Sequence, residues 1–133
     1  MSDDVVARVR IAAAADVVFG YFIEPELIVK WIGDWADLAP VPSGVFALNI
    51  ENTAVRGRYV MVEAPRRVVF TWGVPGDEAM PPGSSTVEIT LTPDGDETVV
   101  DLIHSGLPDE KREPHAQGWA DCLARLVDAA GPR

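Results

Sequence analysis

The segment near the C-terminal end, residues 114–130, limits the choice of fold more than any other. Its apolar residues recur at intervals of three and four, which is the pattern of one face of an amphipathic helix. Pro114 suits a first helical turn, and Gly131 followed by Pro132 is a stop signal. We therefore predict a helix over 114–130, about 25 Å long at 1.5 Å per residue. Its apolar face would consist of Ala116, Trp119, Ala120, Leu123, Leu126, Val127 and Ala130.

Most of the chain before this helix has the alternating pattern of strands. Period-two alternation predicts strands over residues 5–11, 46–51, 55–63, 67–74, 87–92 and 98–106. Helical spacing predicts two short helices after the first strand, over 16–23 and from Pro25 through Trp31. The remaining segments predict loops: 34–44, the turn 93–96, the charged connection 108–113, and 75–84, which is rich in proline and glycine and typical of a rim or lid.

This order of elements predicts an α+β fold in a single domain over residues 1–133. Consecutive hairpins give an antiparallel sheet of about seven strands, whose apolar face needs a cover. Only the last helix is long enough to provide it. A closed barrel with the helix outside is the alternative, and we disfavour it because the helix has a broad apolar face containing Trp119.

Composition excludes several classes of partner. The 133 residues have 21 acidic and 11 basic side chains and a net charge of -10, which argues against nucleic acid and anionic membrane surfaces. Apolar runs are too short for membrane insertion, and the acidic start lacks the positive region of a signal peptide. Cys122 is the single cysteine, so no disulfide forms within the chain. We expect a cytoplasmic protein.

Several stretches together resemble the helix-grip fold of the START-like or SRPBCC superfamily. More closely, the chain is similar to the family of homologues of the C-terminal domain of the heat-shock-protein-90 ATPase activator. The resemblance covers nearly the whole chain. The stretches that carry it are Val18-Phe19, Pro25, Trp31, Pro65-Arg-Arg-Val-Val-Phe-Thr-Trp72, Ser85-Thr-Val-Glu-Ile89, His104-Ser-Gly-Leu107 and Gly118-Trp119 with Leu123 and Leu126.

The resemblance implies a cavity between the sheet and the last helix that holds an apolar small molecule. It supplies no catalytic residues, because no catalytic set is shared across the superfamily. The eukaryotic activator has an additional N-terminal domain that docks on the chaperone, and this sequence shows no such domain. We therefore do not transfer chaperone activation.

Ten side chains are candidates for the lining of that cavity. Aromatic residues on elements that face the centre suit a flat or greasy ligand. The alternative is that the same side chains form an ordinary core. The resemblance favours the cavity for Trp72 and Trp119. The full predicted lining is Trp31, Phe46, Tyr59, Phe70, Trp72, Leu102, His104, His115, Trp119 and Leu123.

The polar candidates for chemistry are few. His104 and His115 are the only histidines, so either could act as an acid or base, and a structural role is the alternative. We expect no metal site and no cofactor, because a third ligand and the nucleotide and hydrolase motifs are absent. Cys122 is predicted to be a small buried hydrophobe, and Gly118 to mark a close approach to the helix.

Three functions remain open at this point. The first is binding of a hydrophobic small molecule under the 75–84 loop, with His104 or Tyr59 orienting its polar end. The second is an enzyme similar to polyketide cyclases or aromatases. The third is a chaperone-interaction module. The sequence also leaves a homodimer open.

Overall fold

A seven-stranded antiparallel sheet and three helices form the fold, and the computed structural model describes residues 4–131. The strands are β1 (Val5–Ile11), β2 (Trp35–Leu38), β3 (Val45–Ile50), β4 (Thr53–Glu63), β5 (Arg67–Trp72), β6 (Ser85–Asp94) and β7 (Glu97–Ser105). The helices are α1 (Ala15–Gly20), α2 (Pro25–Ile28) and α3 (Asp109–Ala130). The predicted α+β class with a long C-terminal helix is confirmed.

The strands follow one another in the sheet in the order β1-β7-β6-β5-β4-β3-β2. Every neighbouring pair is antiparallel, and β1 and β2 form the two edges, so the sheet is open rather than a closed barrel. The β6–β7 hairpin turns at Gly95, whose φ of +63° suits glycine. The apolar residues of β7 alternate as predicted, because Val100, Leu102 and His104 are all buried.

The first difference from the sequence prediction is strand β2, which lies in the segment predicted to be a loop. β2 has four residues, none of them fully buried, and two prolines follow it closely. Its pairing with β3, from Trp35 opposite Asn49 to Leu38 opposite Phe46, holds it in the sheet. Short edge strands of this kind depend on their neighbour rather than on local pattern.

The second difference is the start of α3, which begins at Asp109, five residues before Pro114. Asp109 and Glu110 lie in its first turn, where negative charge is favourable at a helix N-terminus. Pro114 therefore sits inside the helix, where it removes one backbone hydrogen bond near the helix start. The short helices α1 and α2 also end earlier than predicted, at Gly20 and Ile28.

The buried stripe of α3 is narrower than the predicted apolar face. Ala116 and Ala120 are exposed, which corrects the prediction for both. The arc of α3 that faces the core is therefore narrower than predicted. The buried residues of α3 are Trp119, Cys122, Leu123, Leu126 and Ala130.

Gly57 is the glycine that strand pairing most clearly requires. A Cβ atom at this position would lie 2.0 Å from the carbonyl oxygen of Thr71 in β5. The residues on either side of Gly57 form hydrogen bonds across this close approach. The Arg56 amide donates to the Gly73 carbonyl, and the Arg58 amide donates to the Thr71 hydroxyl, each at 2.9 Å.

We predict that Gly57→Ala lowers the free energy of unfolding by about 1–3 kcal/mol, the usual cost of forcing extra volume into a packed site. Chemical denaturation measures it. Gly118→Ala is the matched control, because an added Cβ there meets nothing within 4 Å. Alanine in a helix should raise stability by up to about 1 kcal/mol. Equal effects of the two substitutions would contradict the prediction.

Candidate functional site

An open groove of about 620 Å³ runs between one flank of α3, the β3–β4 hairpin and the segment that follows β5. Its walls combine apolar side chains from all three parts of the fold. Charged residues lie among them, and include members of α3 and of the 75–84 loop. The groove is lined by Ile32, Ile50, Glu51, Thr53, Val55, Trp72, Val74, Asp77, Met80, Lys111, Pro114, His115, Gly118, Trp119, Asp121, Cys122 and Arg125.

One stripe of α3 forms the helical side of the groove. Lys111, His115, Gly118, Cys122 and Arg125 all line it, and their spacing alternates between four and three residues. Residues at this spacing lie one above another on a helix. The groove therefore follows α3 for about 21 Å, the rise over these fourteen steps.

Gly118 leaves the middle of this stripe without a side chain. The sequence predicted a close approach to the helix here, and the structure contradicts it, because an added Cβ would meet nothing within 4 Å. Glycine inside a helix costs about 1 kcal/mol relative to alanine. Packing does not require this glycine, whereas any larger residue would project into the groove.

The 75–84 loop closes one end of the groove and is tied to α3. Met80 is buried, and its carbonyl accepts a hydrogen bond from the Val74 amide at 2.8 Å. Asp77 forms an ion pair with Lys111 at 3.1 Å and accepts a hydrogen bond from the Ala79 amide. The ammonium of Lys111 lowers the pKa of the Asp77 carboxyl. The predicted rim is thus attached to the first turns of α3.

A chain of three hydrogen bonds connects α3 to the sheet beside the groove. The Trp119 indole N–H donates to His104 Nδ1 at 2.9 Å, so Nδ1 must be the acceptor nitrogen. Neutral His104 then has its proton on Nε2, which lies 2.9 Å from the Ser85 hydroxyl. Ser85 Oγ donates in turn to the Trp72 carbonyl at 2.8 Å. Both ring nitrogens of His104, the Ser85 hydroxyl and the Trp119 indole N–H therefore have partners.

This arrangement removes His104 as a catalytic acid or base. It is fully buried, and burial together with the nearby His115 lowers its pKa from 6.5 to about 3. A second proton would also displace the Trp119 hydrogen bond. Ser85 is not an activated nucleophile, since its proton is given to a backbone carbonyl rather than to His104.

His115 lies at the groove with one nitrogen free of helix contacts. Its Nδ1 is 2.8 Å from the Lys111 carbonyl, and a carbonyl only accepts, so Nδ1 carries the proton. Burial lowers the pKa of His115, which favours the neutral form. Neutral His115 therefore presents Nε2 as a hydrogen-bond acceptor.

Cys122 is buried at the groove, as a small hydrophobe should be. Burial raises the pKa of its thiol, and Arg125 Nη2 lies 3.3 Å from the sulfur. A protonated thiol is a weak nucleophile. The structure thus gives no thiolate chemistry at this position.

The structure divides the ten predicted lining residues into two groups. Trp72, His115 and Trp119 line the groove, and the two indole rings lie 5.1 Å apart. The other seven do not line it but fill the interior of the domain. These are Trp31, Phe46, Tyr59, Phe70, Leu102, His104 and Leu123. Contact of any of the ten with a ligand stays a prediction.

Several of these seven residues pack closely in an aromatic interior. Phe46 and Phe70 stack with ring centroids 3.9 Å apart. The Tyr59 hydroxyl donates to the Phe22 carbonyl at 2.9 Å, and burial raises its pKa well above the usual value. The space between helix and sheet is therefore filled near the centre and open along the flank of α3.

The sequence analysis missed most of the groove walls. Ile50, Val55 and Met80 come from a strand end, a strand start and a loop, and no pattern places them together. The α3 stripe was detectable, because Lys111, His115, Gly118, Cys122 and Arg125 share one helical spacing. The stripe was missed because it combines charged residues with glycine and cysteine, and such a set does not match the pattern of an apolar helix face.

Two further observations concern the part of the chain that the structure describes. Over residues 4–131, no three histidine, cysteine, aspartate or glutamate side chains are grouped so that they could hold a metal ion. None of the helices in that range is both long and apolar enough to cross a membrane.

Comparison with known proteins places these features in context. The family model for Activator of Hsp90 ATPase homolog 1-like protein matches residues 12–131. An AHSA1-like protein from Rhizobium etli is 35% identical, with a TM-score of 0.73, and the match covers 100% of this chain and 88% of that one. CalU16 from Micromonospora echinospora is 28% identical, with a TM-score of 0.78 and coverage of 97% and 76%. The Aha1 dimer from Colwellia psychrerythraea is 16% identical, with a TM-score of 0.84 and coverage of 96% and 95%, a likeness of fold. No curated protein matches.

We predict that the burial of neutral His104 lowers the free energy of unfolding as the pH falls below about 6.5. The unfolded chain binds a proton at His104 below about pH 6.5, whereas the folded protein excludes it down to about pH 3. The free energy of unfolding should therefore lose about 2 kcal/mol from this group between pH 6.5 and pH 5. Denaturant titrations of the wild type and His104→Gln at several pH values measure the difference.

Glutamine keeps an acceptor for Trp119 and a donor for Ser85 but does not titrate. His115→Gln is the control, and it should keep most of the pH dependence of the wild type. Parallel stability curves for the wild type and His104→Gln would show that His104 is not the responsible group.

Proposed function

Because the chain belongs to the Activator of Hsp90 ATPase homolog 1-like protein family, and because its groove lies between sheet and terminal helix, we propose that it binds a hydrophobic small molecule there. Binding would serve to carry, sequester or sense that molecule. The groove volume of about 620 Å³ is within the range of small-molecule sites. Burial of apolar ligand surface would supply most of the affinity, at about 25 cal/mol per Å².

The observation that carries this proposal is Gly118 in the groove wall. A helix gives up about 1 kcal/mol by having glycine there. No neighbour lies within 4 Å of the position of its missing Cβ. Trp72 and Trp119 form the adjoining apolar surface. An open apolar groove kept clear at the expense of helix stability supports ligand binding better than it supports a structural role.

The orienting group in this proposal is His115. The sequence analysis assigned that role to His104 or Tyr59, but both have their polar atoms bonded inside the core. Neutral His115 instead offers Nε2 to a hydroxyl or amide N–H of the ligand. His115 adjoins the apolar surface of Trp72 and Trp119, and a few polar groups placed at an apolar surface fix the orientation of a bound ligand.

The other functions stay predictions, and the comparisons favour neither ligand binding nor any of these alternatives. A cyclase-like enzyme needs several polar groups that converge on the substrate, and the bonded state of His104 and Tyr59 leaves few of them. A chaperone-interaction module and a homodimer draw on the likeness to the Colwellia psychrerythraea Aha1 dimer, which is a likeness of fold. A cytoplasmic location is likewise a prediction.

We predict that Gly118→Leu weakens binding of the uncharged fluorescent probe N-phenyl-1-naphthylamine at least tenfold. The leucine side chain would occupy the groove, and a good helix former should keep the fold intact. Fluorescence titration measures the dissociation constant, and circular dichroism with thermal unfolding confirms folding.

Ala120→Leu is the matched control, because Ala120 is exposed on the same helix and is not a groove residue. It should bind the probe as the wild type does. If the wild type does not bind the probe, or if both leucine variants bind it equally well, the groove is not the ligand site.

A further inference from the structure

Arg125 lies at the end of the groove away from the 75–84 loop and is held there by two contacts. Its Nε donates to the Trp31 carbonyl at 3.2 Å, and its Nη2 lies 3.3 Å from Cys122 Sγ. Both partners are buried residues of the fold. The guanidinium is therefore fixed in position over the groove, although the side chain is exposed to solvent.

These contacts leave the outer end of the guanidinium available. A guanidinium has five N–H donors, and Arg125 uses one on Nε and one on Nη2. Three donors remain, two on Nη1 and one on Nη2. Nη1 and Nη2 together form the planar fork that binds both oxygens of a carboxylate.

The two cations of the groove differ in their charge balance. Lys111 is paired with Asp77 at 3.1 Å near the loop. Arg125, about 21 Å further along α3, forms no ion pair within residues 4–131. Asp121 also lines the groove, but it lies beyond ion-pair distance of Arg125, and its Oδ1 accepts from Gln117 at 3.1 Å. Of the two cations that line the groove, Arg125 is therefore the one without an ion pair among the described residues.

We infer that the ligand is an apolar monocarboxylic acid whose carboxylate binds Arg125 and whose apolar body lies along the groove toward Trp72. This inference rests on the proposed function and adds the chemical class of the ligand and its direction. The carboxylate would accept from Nη1 and Nη2. The tail would pass Cys122 and Gly118, and its far end would reach His115, about 15 Å from Arg125 along the helix, where a hydroxyl or amide at that end of the ligand would meet Nε2.

The neighbouring acids narrow the class further. Asp121 and Glu51 also line the groove, and their like charge disfavours a ligand that brings more than one negative charge. A single carboxylate is balanced by Arg125, whereas a phosphate dianion is not. The groove therefore suits a fatty or aromatic monocarboxylate.

Displacement of N-phenyl-1-naphthylamine by dodecanoate, 1-dodecanol and dodecylamine tests the inference at pH 8. These three share an apolar chain and differ in the charge of the head group. The wild type should bind dodecanoate at least tenfold more tightly than dodecanol, and dodecylamine no better than dodecanol. Arg125→Met should bring dodecanoate to the level of dodecanol, whereas Arg125→Lys should keep part of the preference.

Arg112→Met is the matched control, because Arg112 lies on α3, pairs with Asp109 and is not a groove residue. It should keep the wild-type preference. Equal binding of acid and alcohol by the wild type, or preference for the amine, would overturn the inference while leaving the groove as an apolar site. A wild type that binds none of the three would overturn the proposed function as well.

Discussion

The hydrogen bond from Trp119 to His104 is the contact on which the position of α3 depends. An indole N–H only donates, and His104 Nδ1 is its acceptor inside the core. Leaving either atom buried without its partner would cost about 1–3 kcal/mol. Two further hydrogen bonds, between His104 and Ser85 and from Ser85 to the Trp72 carbonyl, connect the same helix to β6 and β5. The helix is thus held at a defined distance and angle.

That placement also explains why the groove exists. Trp119 and Leu123 bury one stripe of α3, and the neighbouring stripe from Lys111 to Arg125 faces the hairpin and loop across the groove, with the Lys111–Asp77 ion pair at the loop end. The aromatic interior is closely packed, and the groove lies beside it along the flank of α3. Because one stripe of α3 is packed on the core and the neighbouring stripe lines the groove, the fold provides a candidate ligand site without weakening its core.

Most of the architecture was predictable, because strand alternation and the long amphipathic helix are periodic signals. Strand β2 was missed because its order comes from pairing with β3, and the helix start was misplaced because a proline was assigned to the first turn. The site was predictable only in part. Trp72, His115 and Trp119 were placed at the groove, but Tyr59 and His104 have polar atoms satisfied inside the fold. Pattern alone does not distinguish a lining aromatic from a core aromatic, since both have the same periodicity.

The aromatic cluster beside the groove has an optical consequence. Trp31 lies 6.5 Å from Trp119, and Trp119 lies 5.1 Å from Trp72, so three of the four tryptophans form one group of neighbouring indoles. The fourth, Trp35, lies apart on strand β2 under Arg56. Indoles this near exchange excitation energy and give asymmetric absorption. The molecule therefore has an intrinsic chromophore whose emission and near-ultraviolet dichroism report on the space beside α3.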